Sequence, residues 1–594
     1  MDMNRKPILY SLEPFDPAGH RVRATLTIAD PTPSGQVISM PAWIPGSYLI
    51  RDFSRQVETI SARCGRESLT IKKLDNHTWR VSPCQGTLTV TADIYAWDLS
   101  VRGAHLDESH GFFNGTSVFL KAHGHENHPC ELTLVPPPGR LGWSVHTSMP
   151  LSSRARRAQG SKGFSAYSVP DYDALIDHPI EMGRPQVTRF TACGAQHELV
   201  FTGVIPGLDL PRIARDVKRI CEAQIRFFEP TSQQAPFLDC AQKYVFMTMV
   251  TGDSYGGLEH RASTALMASR KDLPTIGQEK TSDGYQTFLG LVSHEYFHTW
   301  NVKRIKPAAF APYNLAKENY TELLWIFEGF TSYYDDLFLL RSGVIDQPTY
   351  LKTLGKQIAS VWASPGRAKQ SVAESSFDAW TRYYKQDENS PNALVSYYTK
   401  GSLVALALDL TIRHATHGQH SLDDVMRLMW NRYGRDFYQG AVRGIRENEF
   451  PALVREATGV DVRNEVQTWA YGRNDIPLAK LFAQHGITMQ WAATSKTPSV
   501  GMRVRKQSEQ LVITTVFEHG PAHQAGLSAN DVLIAINGLK VDSVNNTVDA
   551  LLAHYQPGDR ITIHAFRRDE LRQFELTLAP AAQTECKLNL AATS

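Results

Sequence analysis

The segment HEYFHTWNVKRI, residues 294–305, carries two histidines four positions apart, with a glutamate directly after the first. On an α-helix, residues i and i+4 lie on one face, so His294 and His298 can reach the same metal ion. Glu295 lies about 100° further round the helix axis. Two imidazoles and one carboxylate leave a coordination position of zinc open to water, and a nearby carboxylate can accept the water proton. The segment therefore predicts a helix that carries a zinc site.

A third ligand is needed to separate this prediction from an ordinary helix with two histidines in its core. Glu328 lies in LLWIFEGFTSYYDDLFLL, residues 323–340, which has helical length and is followed by Gly343, a residue typical of helix ends. A carboxylate in such apolar surroundings is costly unless it is paired or bound to a metal. Glu318 is the other candidate, and pairing of Glu328 with an arginine is the alternative without a metal. The neighbours that make the segment apolar are Trp325, Ile326, Phe327 and Phe330.

Composition excludes several other classes of protein. The 594 residues are 42% hydrophobic and 21% charged, as in ordinary folded proteins, and a net charge of +2 gives no reason to expect a nucleic-acid or membrane partner. No run of about 18 apolar residues and no secretory leader is visible. Seven cysteines without CxxC pairs indicate free thiols in a reducing, cytoplasmic compartment.

The hydrophobic pattern changes twice along the chain, and the three resulting segments predict a multidomain α/β protein. Residues 1–185 read as a β-sandwich or saddle-like β domain, with alternating apolar positions in HRVRATLTIAD, residues 20–30. Residues 186–485 read as a mainly helical domain after a short β-section. In residues 486–594, short strands alternate with Gly and Asn turns, and TVDALLAHY, residues 547–555, reads as a helix. The apolar positions of residues 20–30 that should face the core are Val22, Ala24, Leu26 and Ile28.

Two segments together, HEYFHTWNVKRIKP and WIFEGFTSYY, resemble the glycyl aminopeptidase family of zinc peptidases, which are gluzincins with an appended PDZ domain. The segments MPAWIPGSYLIRDFSRQV (40–57), YDALIDHPIEMG (172–183) and DSYGGLEHRAST (253–264) extend the resemblance over nearly the whole chain. The resemblance implies a thermolysin-like catalytic domain behind a β domain. The commonest gluzincin spacing would place the third ligand at Lys317, but this family has a longer spacing, which favours Glu328.

The same resemblance assigns substrate-binding and catalytic roles. GGLEH, residues 256–260, is similar to the strand of related aminopeptidases that pairs with the substrate backbone, in which the glutamate binds the free α-amine. Gly256 and Glu259 match directly, and Gly257 adds a second position open to close backbone approach. YYTKG, residues 397–401, is similar to the start of the helix that carries the oxyanion-stabilising tyrosine, which aligns with Tyr398. Tyr397 is the rival, and without the resemblance GGLEH reads as a surface turn.

The last hundred residues resemble a protease-associated PDZ domain, chiefly in GPAHQAGLSANDVLIAINGLKV, residues 520–541. SVGMRV, residues 499–504, is its candidate carboxylate-binding loop. PDZ domains add a peptide as an extra strand between a strand and a helix. The expected ligand is a peptide C-terminus or an internal peptide segment, in addition to the peptide substrate of the catalytic domain.

These observations together predict a zinc-dependent aminopeptidase with one Zn²⁺ per chain. Glu295 is the expected general base, Tyr398 stabilises the oxyanion, and Glu259 holds the substrate amine. The resemblance implies a preference for N-terminal Gly or Ala. Two alternatives stay open: a metalloendopeptidase whose PDZ domain recruits protein tails, and a binding or scaffold protein that has lost catalysis.

Overall fold

The computed structural model describes residues 5–139, 142–153, 155, 162–440 and 442–590. The chain forms two compact units. The first comprises the chain up to Tyr320 together with Tyr334–Ile345 and Met426–Arg446, and the second comprises Thr321–Tyr333, Asp346–Val425 and the chain from Glu447 onward. In the described part of the chain, no helix combines the length and the apolar character needed to cross a bilayer.

The first unit begins with a seven-stranded sheet, in the order β14-β12-β1-β2-β8-β4-β5. The alternation predicted for residues 20–30 is confirmed, because Val22, Ala24, Leu26 and Ile28 are all buried. Their faces pack into one core with the neighbouring strands. The strands of the sheet are β1 (Ile8–Asp16), β2 (Arg21–Ile28), β4 (Val57–Cys64), β5 (Glu67–Leu69), β8 (Leu88–Tyr95), β12 (Cys130–Leu134) and β14 (Ala166–Val169).

Two four-stranded sheets complete the N-terminal β region. The first, in the order β13-β15-β10-β9, contains β9 (Ala104–Leu106), β10 (His110–Phe113), β13 (Ser144–His146) and β15 (Ile180–Gly183). The second, in the order β11-β3-β7-β6, contains β3 (Val37–Ser39), β6 (Ile71–Lys73), β7 (Thr78–Val81) and β11 (Lys121–Ala122). The short helix α1 (Tyr172–Ile176) begins at Asp171, whose side chain accepts a hydrogen bond from the Ala174 amide.

A five-stranded mixed sheet follows, in the order β16-β17-β18-β20-β19. The short β-section predicted near residue 195 is thus one strand of a larger sheet. Helices α2 and α3 belong to the same unit, and β19 lies at the edge of the sheet with β20 as its partner in antiparallel register. The elements are β16 (Gln186–Ala192), β17 (Ala195–Thr202), α2 (Leu210–Phe228), β18 (Lys243–Thr251), β19 (Tyr255–Glu259), β20 (Ser263–Ser269) and α3 (Asp283–Phe297).

Helices dominate the following part of the chain, as predicted. The helix expected to start at YYTKG, residues 397–401, is α9, which covers Thr399–Ala415. A π-helical turn at Ala379–Tyr383 interrupts the regular helices. The helices are α4 (Leu324–Phe327), α5 (Gly329–Arg341), α6 (Gln347–Trp362), α7 (Val372–Phe377), α8 (Ser390–Ala393), α9 (Thr399–Ala415), α10 (Leu422–Met429), α11 (Phe450–Thr458), α12 (Arg463–Val466) and α13 (Leu478–Ala483).

The C-terminal elements form two separate sheets. β21 (Ile487–Ala492) pairs with the last strand, β28 (Glu585–Leu590), and β28 packs on α6. Between them lies a second sheet in the order β22-β23-β24-β26-β27, with β25 on β24. The helix predicted over residues 547–555 is shorter, since α15 covers Val548–Leu552. The remaining elements are β22 (Met502–Gln507), β23 (Gln510–Val516), α14 (Pro521–Gln524), β24 (Val532–Ile536), β25 (Leu539–Lys540), β26 (Arg560–Arg567) and β27 (Glu570–Thr577).

Candidate active site

The HEYFH segment forms the last turn of α3. The side chain of Ser282 caps this helix by accepting a hydrogen bond from the Tyr285 amide at 3.0 Å. His298 is the C-cap residue, and its amide donates to the carbonyl of His294 at 3.2 Å. The pair of histidines therefore sits at the end of α3 rather than in its middle, with the four-residue spacing that places both rings on one side.

The two imidazoles face each other through their Nε2 atoms, which are 3.0 Å apart. The Nδ1 atom of His294 lies 3.0 Å from the carboxylate of Asp335, and the Nδ1 atom of His298 lies 2.7 Å from the carbonyl of Asn301. Because both partners are acceptors, both Nδ1 atoms must donate. In the neutral form, each ring would turn a lone pair on Nε2 towards the other, an arrangement that a cation between them stabilises.

Glu328 is the third ligand that the sequence predicts for a metal-binding group with the two histidines. It lies at the junction of α4 and α5, is 2% exposed, and follows the buried side chains of Trp325, Ile326 and Phe327. Two imidazole nitrogens and one carboxylate oxygen are a donor set that zinc accepts, so the residues fit this ion. Glu318 does not belong to any such group among the described residues.

Asp335 orients the first histidine and was missed in the sequence. It lies seven residues after Glu328, and seven residues are almost two full turns of a helix, which returns to the same face. Ser293, next to His294, also donates its hydroxyl to the Asp335 carbonyl at 2.8 Å. The seven-residue spacing between Glu328 and Asp335 could have indicated this role. Carboxylates commonly accept a hydrogen bond from the ring nitrogen of a ligand histidine that does not bind the metal.

Strand β19 brings the GGLEH segment to this site. Glu259, at the end of the strand, is 3% exposed, and its Oε1 makes no hydrogen bond within the described residues. The backbone of Gly46 lies against the same carboxylate, since a Cβ atom at that position would be 2.5 Å from Oε2. Gly46 has a φ of +95°, which glycine adopts without strain. The WIPGSYL segment of the N-terminal β region therefore forms one wall around Glu259.

The two glycines of β19 face different surroundings. A Cβ atom on Gly257 would lie 2.0 Å from the Oε1 atom of Glu295, whereas a Cβ atom on Gly256 would meet nothing within 4 Å. Gly257 thus lets the strand backbone approach the carboxylate of Glu295 directly. Both glycines are in the edge strand, whose outer backbone groups are not used by β20.

Glu259, Glu295 and His298 form a second group whose ligand atoms lie within 4.8 Å of one another, and all three residues are buried. Two carboxylates so close together, away from water, repel each other when both are ionised. A positive charge between or beside them removes this cost. The site is therefore built to receive cations, and Glu259 has an oxygen available for one.

A cluster of four tyrosines lies at the start of α9. Tyr397 is completely buried, and its burial raises the pKa of its hydroxyl well above 10. Tyr398 is half-buried, and its hydroxyl lies 3.2 Å from that of Tyr384. Tyr383 contacts both rings and bonds to Ser396 at 2.9 Å. Tyr383 and Tyr384 were not singled out in the sequence, where the segment TRYYKQ offers no motif.

Models of known protein families match most of the chain. Residues 287–404 match the family model described as M61 glycyl aminopeptidase, and residues 9–184 match the model of the Peptidase M61 N-terminal domain. Residues 498–578 match the PDZ domain model, which lies inside the predicted range 486–594. No curated protein matches the chain.

One solved structure is similar to this chain over nearly its full length. An aminopeptidase N family protein from Idiomarina loihiensis is 40% identical in sequence, with 98% of each chain covered and a TM-score of 0.92. An M1 zinc metallopeptidase from Deinococcus radiodurans is 14% identical, with 80% of this chain and 95% of that chain covered and a TM-score of 0.48.

Proposed function

Because the chain belongs to the M61 glycyl aminopeptidase family and is therefore a peptidase, we propose that it is a zinc-dependent aminopeptidase that removes N-terminal glycine or alanine from peptides. The observation that carries this proposal is the buried Glu259, whose Oε1 makes no hydrogen bond within the described residues and which ends an edge strand beside Glu295. A free α-amine, with a pKa of roughly 8, is mostly protonated at neutral pH and fits this oxygen.

His294, His298 and Glu328 are the proposed ligands of one Zn²⁺ per chain. When bound, zinc polarises the substrate carbonyl and makes water a nucleophile near neutral pH. Asp335 and the Asn301 carbonyl accept hydrogen bonds from the Nδ1 atoms, which leaves Nε2 as the nitrogen of each ring that would bind the ion. We place the metal site in a thermolysin-like catalytic domain.

Glu295 is the proposed general base and acid. It accepts a proton from the attacking water and returns it to the leaving amine, so that the reaction consumes water and releases a free amino acid and a shortened peptide. Its carboxylate lies against the backbone of Gly257, which limits its movement on that side. Tyr398 is the proposed donor to the oxyanion that develops on the substrate carbonyl. Tyr398 is half-buried, whereas Tyr397 is completely buried.

Strand β19 is the proposed template for the substrate. An extended peptide that pairs with the outer edge of Gly256 and Gly257 would join the sheet as another strand. Glu259 then reads the first residue, because a charge-assisted bond to its carboxylate requires a free amine. A blocked N-terminus would leave the carboxylate buried without a partner, and an endopeptidase would gain nothing from such a group.

Kinetics on glycinamide and acetylglycinamide test this assignment. Glu259→Gln keeps the size of the side chain and removes its charge. A charge-assisted hydrogen bond contributes about 1.5–3 kcal/mol, so we expect kcat/KM for glycinamide to fall by one to two decades while zinc is retained. The ratio of kcat/KM for glycinamide to kcat/KM for acetylglycinamide should fall by the same factor. If the variant rejects the acetylated substrate as strongly as the wild type does, another group reads the amine.

Metal analysis tests the ligand set separately. Glu328→Ala should lose the catalytic zinc, as measured by atomic absorption after dialysis, and Glu318→Ala is the matched control that should keep it. Glu295→Gln should keep its zinc and lose activity by about 10²-fold or more, because a positioned proton acceptor contributes that much. Zinc loss in Glu318→Ala but not in Glu328→Ala would overturn the assignment.

The ligand of the PDZ domain, the domain boundaries and the cellular compartment are also proposals. We propose a peptide C-terminus or an internal peptide segment as the ligand of the PDZ domain, and the domain boundaries at residues 185 and 485 stay predictions. All seven cysteines are free thiols, which supports a reducing compartment such as the cytoplasm.

A further inference from the structure

The N-terminal β region contains a second group of metal-binding side chains, on the hairpin formed by β9 and β10. One atom each from His105, Asp107 and His110 lie within 4.8 Å of one another. His105 and His110 are 4% and 2% exposed. The proposed aminopeptidase reaction uses none of these residues. Buried imidazoles with unused nitrogens are uncommon, because buried polar atoms normally have partners.

The turn of the hairpin holds Asp107 in a fixed orientation. Its Oδ1 accepts hydrogen bonds from the Ser109 amide and hydroxyl, both at 2.6 Å, and from the His110 amide at 3.0 Å. Oδ1 is therefore used by the turn, and Oδ2 is left to face His105. A carboxylate ligand whose second oxygen is held by the backbone needs little reorganisation to bind an ion.

The distance between His105 and Asp107 fits two ligands of one ion. His105 Nε2 and Asp107 Oδ2 are 3.3 Å apart, which is longer than a good hydrogen bond between them. Two atoms bound to one tetrahedral zinc at about 2.0–2.2 Å are roughly 3.3–3.6 Å apart. The side chain of Asp107 is 30% exposed, so an ion can enter from solvent on that side.

His110 has the environment of a ligand histidine. Neither of its ring nitrogens makes a hydrogen bond within the described residues. Its Nδ1 is 3.4 Å from Glu181 Oε1, and Thr202 holds this oxygen by donating a hydrogen bond at 2.8 Å. A carboxylate placed at one nitrogen of a histidine is the usual device that leaves the other nitrogen for a metal.

A small cavity of about 20 Å³ adjoins the cluster and is lined by both histidines and Glu181. Its other walls include the side chains of Met247, Met249 and Met267. The polarisable methionine side chains and the two imidazole ligands favour a borderline or soft cation over Mg²⁺ or Ca²⁺, which prefer oxygen ligands and water.

We propose that His105, Asp107 and His110 bind a second divalent transition-metal ion, Zn²⁺ in the first place, with Glu181 supporting His110 from outside. The ion would join β9 to β10 across their turn, and Glu181 on β15 would connect the site to a third strand. Its role would be structural, because it lies in the β region and cross-links two strands of one sheet.

Zinc stoichiometry of the full chain tests the proposal. The protein is stripped with a chelator, dialysed against excess ZnCl₂ and then against metal-free buffer, and analysed by plasma mass spectrometry. We expect two zinc ions per chain in the wild type, one in Asp107→Asn, one in Glu328→Ala, and none in the double variant. His128→Gln, which changes a histidine of the same β region outside the cluster, is the matched control and should keep two.

The outcomes separate this proposal from the proposed catalytic site. One zinc in the wild type and none in Glu328→Ala would overturn the second site and leave the catalytic one intact, and His110 and Glu181 would then be a buried ion pair only. One zinc in the wild type that is lost in Asp107→Asn but kept in Glu328→Ala would support the second site and refute the catalytic ligand set. Co²⁺ loaded into Glu328→Ala should also give the visible absorption of a tetrahedral site, which would be lost in the double variant, and its absence in Glu328→Ala would count against the proposal.

Discussion

Gly257→Ala is the sharpest test of how β19 approaches the catalytic carboxylate. The new Cβ atom would lie 2.0 Å from Glu295 Oε1, 2.4 Å from its Cδ and 2.7 Å from its Cγ. A carbon and an oxygen atom in contact need more than 3 Å, so the carboxylate or the strand must move by about 1 Å. The adjacent Gly256→Ala is a matched control, because its Cβ would meet nothing within 4 Å.

The expected loss follows from the size of that movement. A displacement of about 1 Å at a reacting group costs roughly 10²-fold in rate, because proton transfer requires hydrogen-bond distance. We expect kcat on glycinamide to fall by about that factor in Gly257→Ala, whereas Gly256→Ala, which lies in the proposed substrate template but away from Glu295, should change kcat by less than threefold and act mainly through KM. Neither glycine has the positive φ that would make alanine itself strained.

Steady-state kinetics, zinc analysis and circular dichroism on both variants provide the measurement. Gly257→Ala should keep its zinc and its fold, which would localise the defect to Glu295. Equal activity of the two variants would refute the close approach of β19 to this carboxylate. A loss of zinc in Gly257→Ala would show instead that the strand supports the metal ligands.

Three further predictions concern other parts of the chain. Tyr398→Phe should lower kcat on glycinamide with little change in KM, whereas the same result in Tyr397→Phe would move the oxyanion role to the buried tyrosine. Replacing residues 498–578 by a short Gly-Ser linker should preserve activity on small amides, since the proposed catalytic residues all precede residue 485, and inactive but folded, zinc-loaded protein would contradict this. Burial raises the pKa of Glu198, but His146 and Lys243 outweigh this effect and lower the pKa from 4.5 to about 2. The ionised carboxylate therefore stabilises the fold fully above pH 4.5, and this stabilisation is lost as the pH falls through about 2. Glu198→Gln should therefore lower the melting temperature clearly at pH 7 and much less near pH 3, and an equal decrease at both pH values would contradict the pairing.

The parts of the site that follow from local sequence were predictable. His294 and His298 are one helical turn apart, and the apolar run around Glu328 indicates a carboxylate with a buried role. The contact between Gly257 and Glu295 could not be predicted, because strand β20, a loop and most of α3 separate the two residues in the sequence. The wall that Gly46 forms around Glu259 has the same cause, since more than two hundred residues separate them.

The larger sheet was missed for a different reason. Strand β18, with the sequence KYVFMTMVT, is buried on both faces and pairs in parallel with β17 and β20. Strands of this kind show a continuous apolar run instead of alternation, and periodicity alone does not separate such a run from a buried helix. In the N-terminal β region, by contrast, strand β2 buries one face only, and its alternation gave the correct prediction.

The pairing of β21 with β28 also has a consequence for synthesis on the ribosome. β21 leaves the exit tunnel about 90 residues before β28, and the six-stranded sheet lies between them. At translation rates of roughly 5–20 residues per second, β21 waits for about 5–20 s without its partner. An unpaired strand is a site for wrong association during this time. The two ends of the intervening PDZ domain meet at the bridge between Ser499 and Ala579, so the folded domain holds the chain segments of β21 and β28 close together.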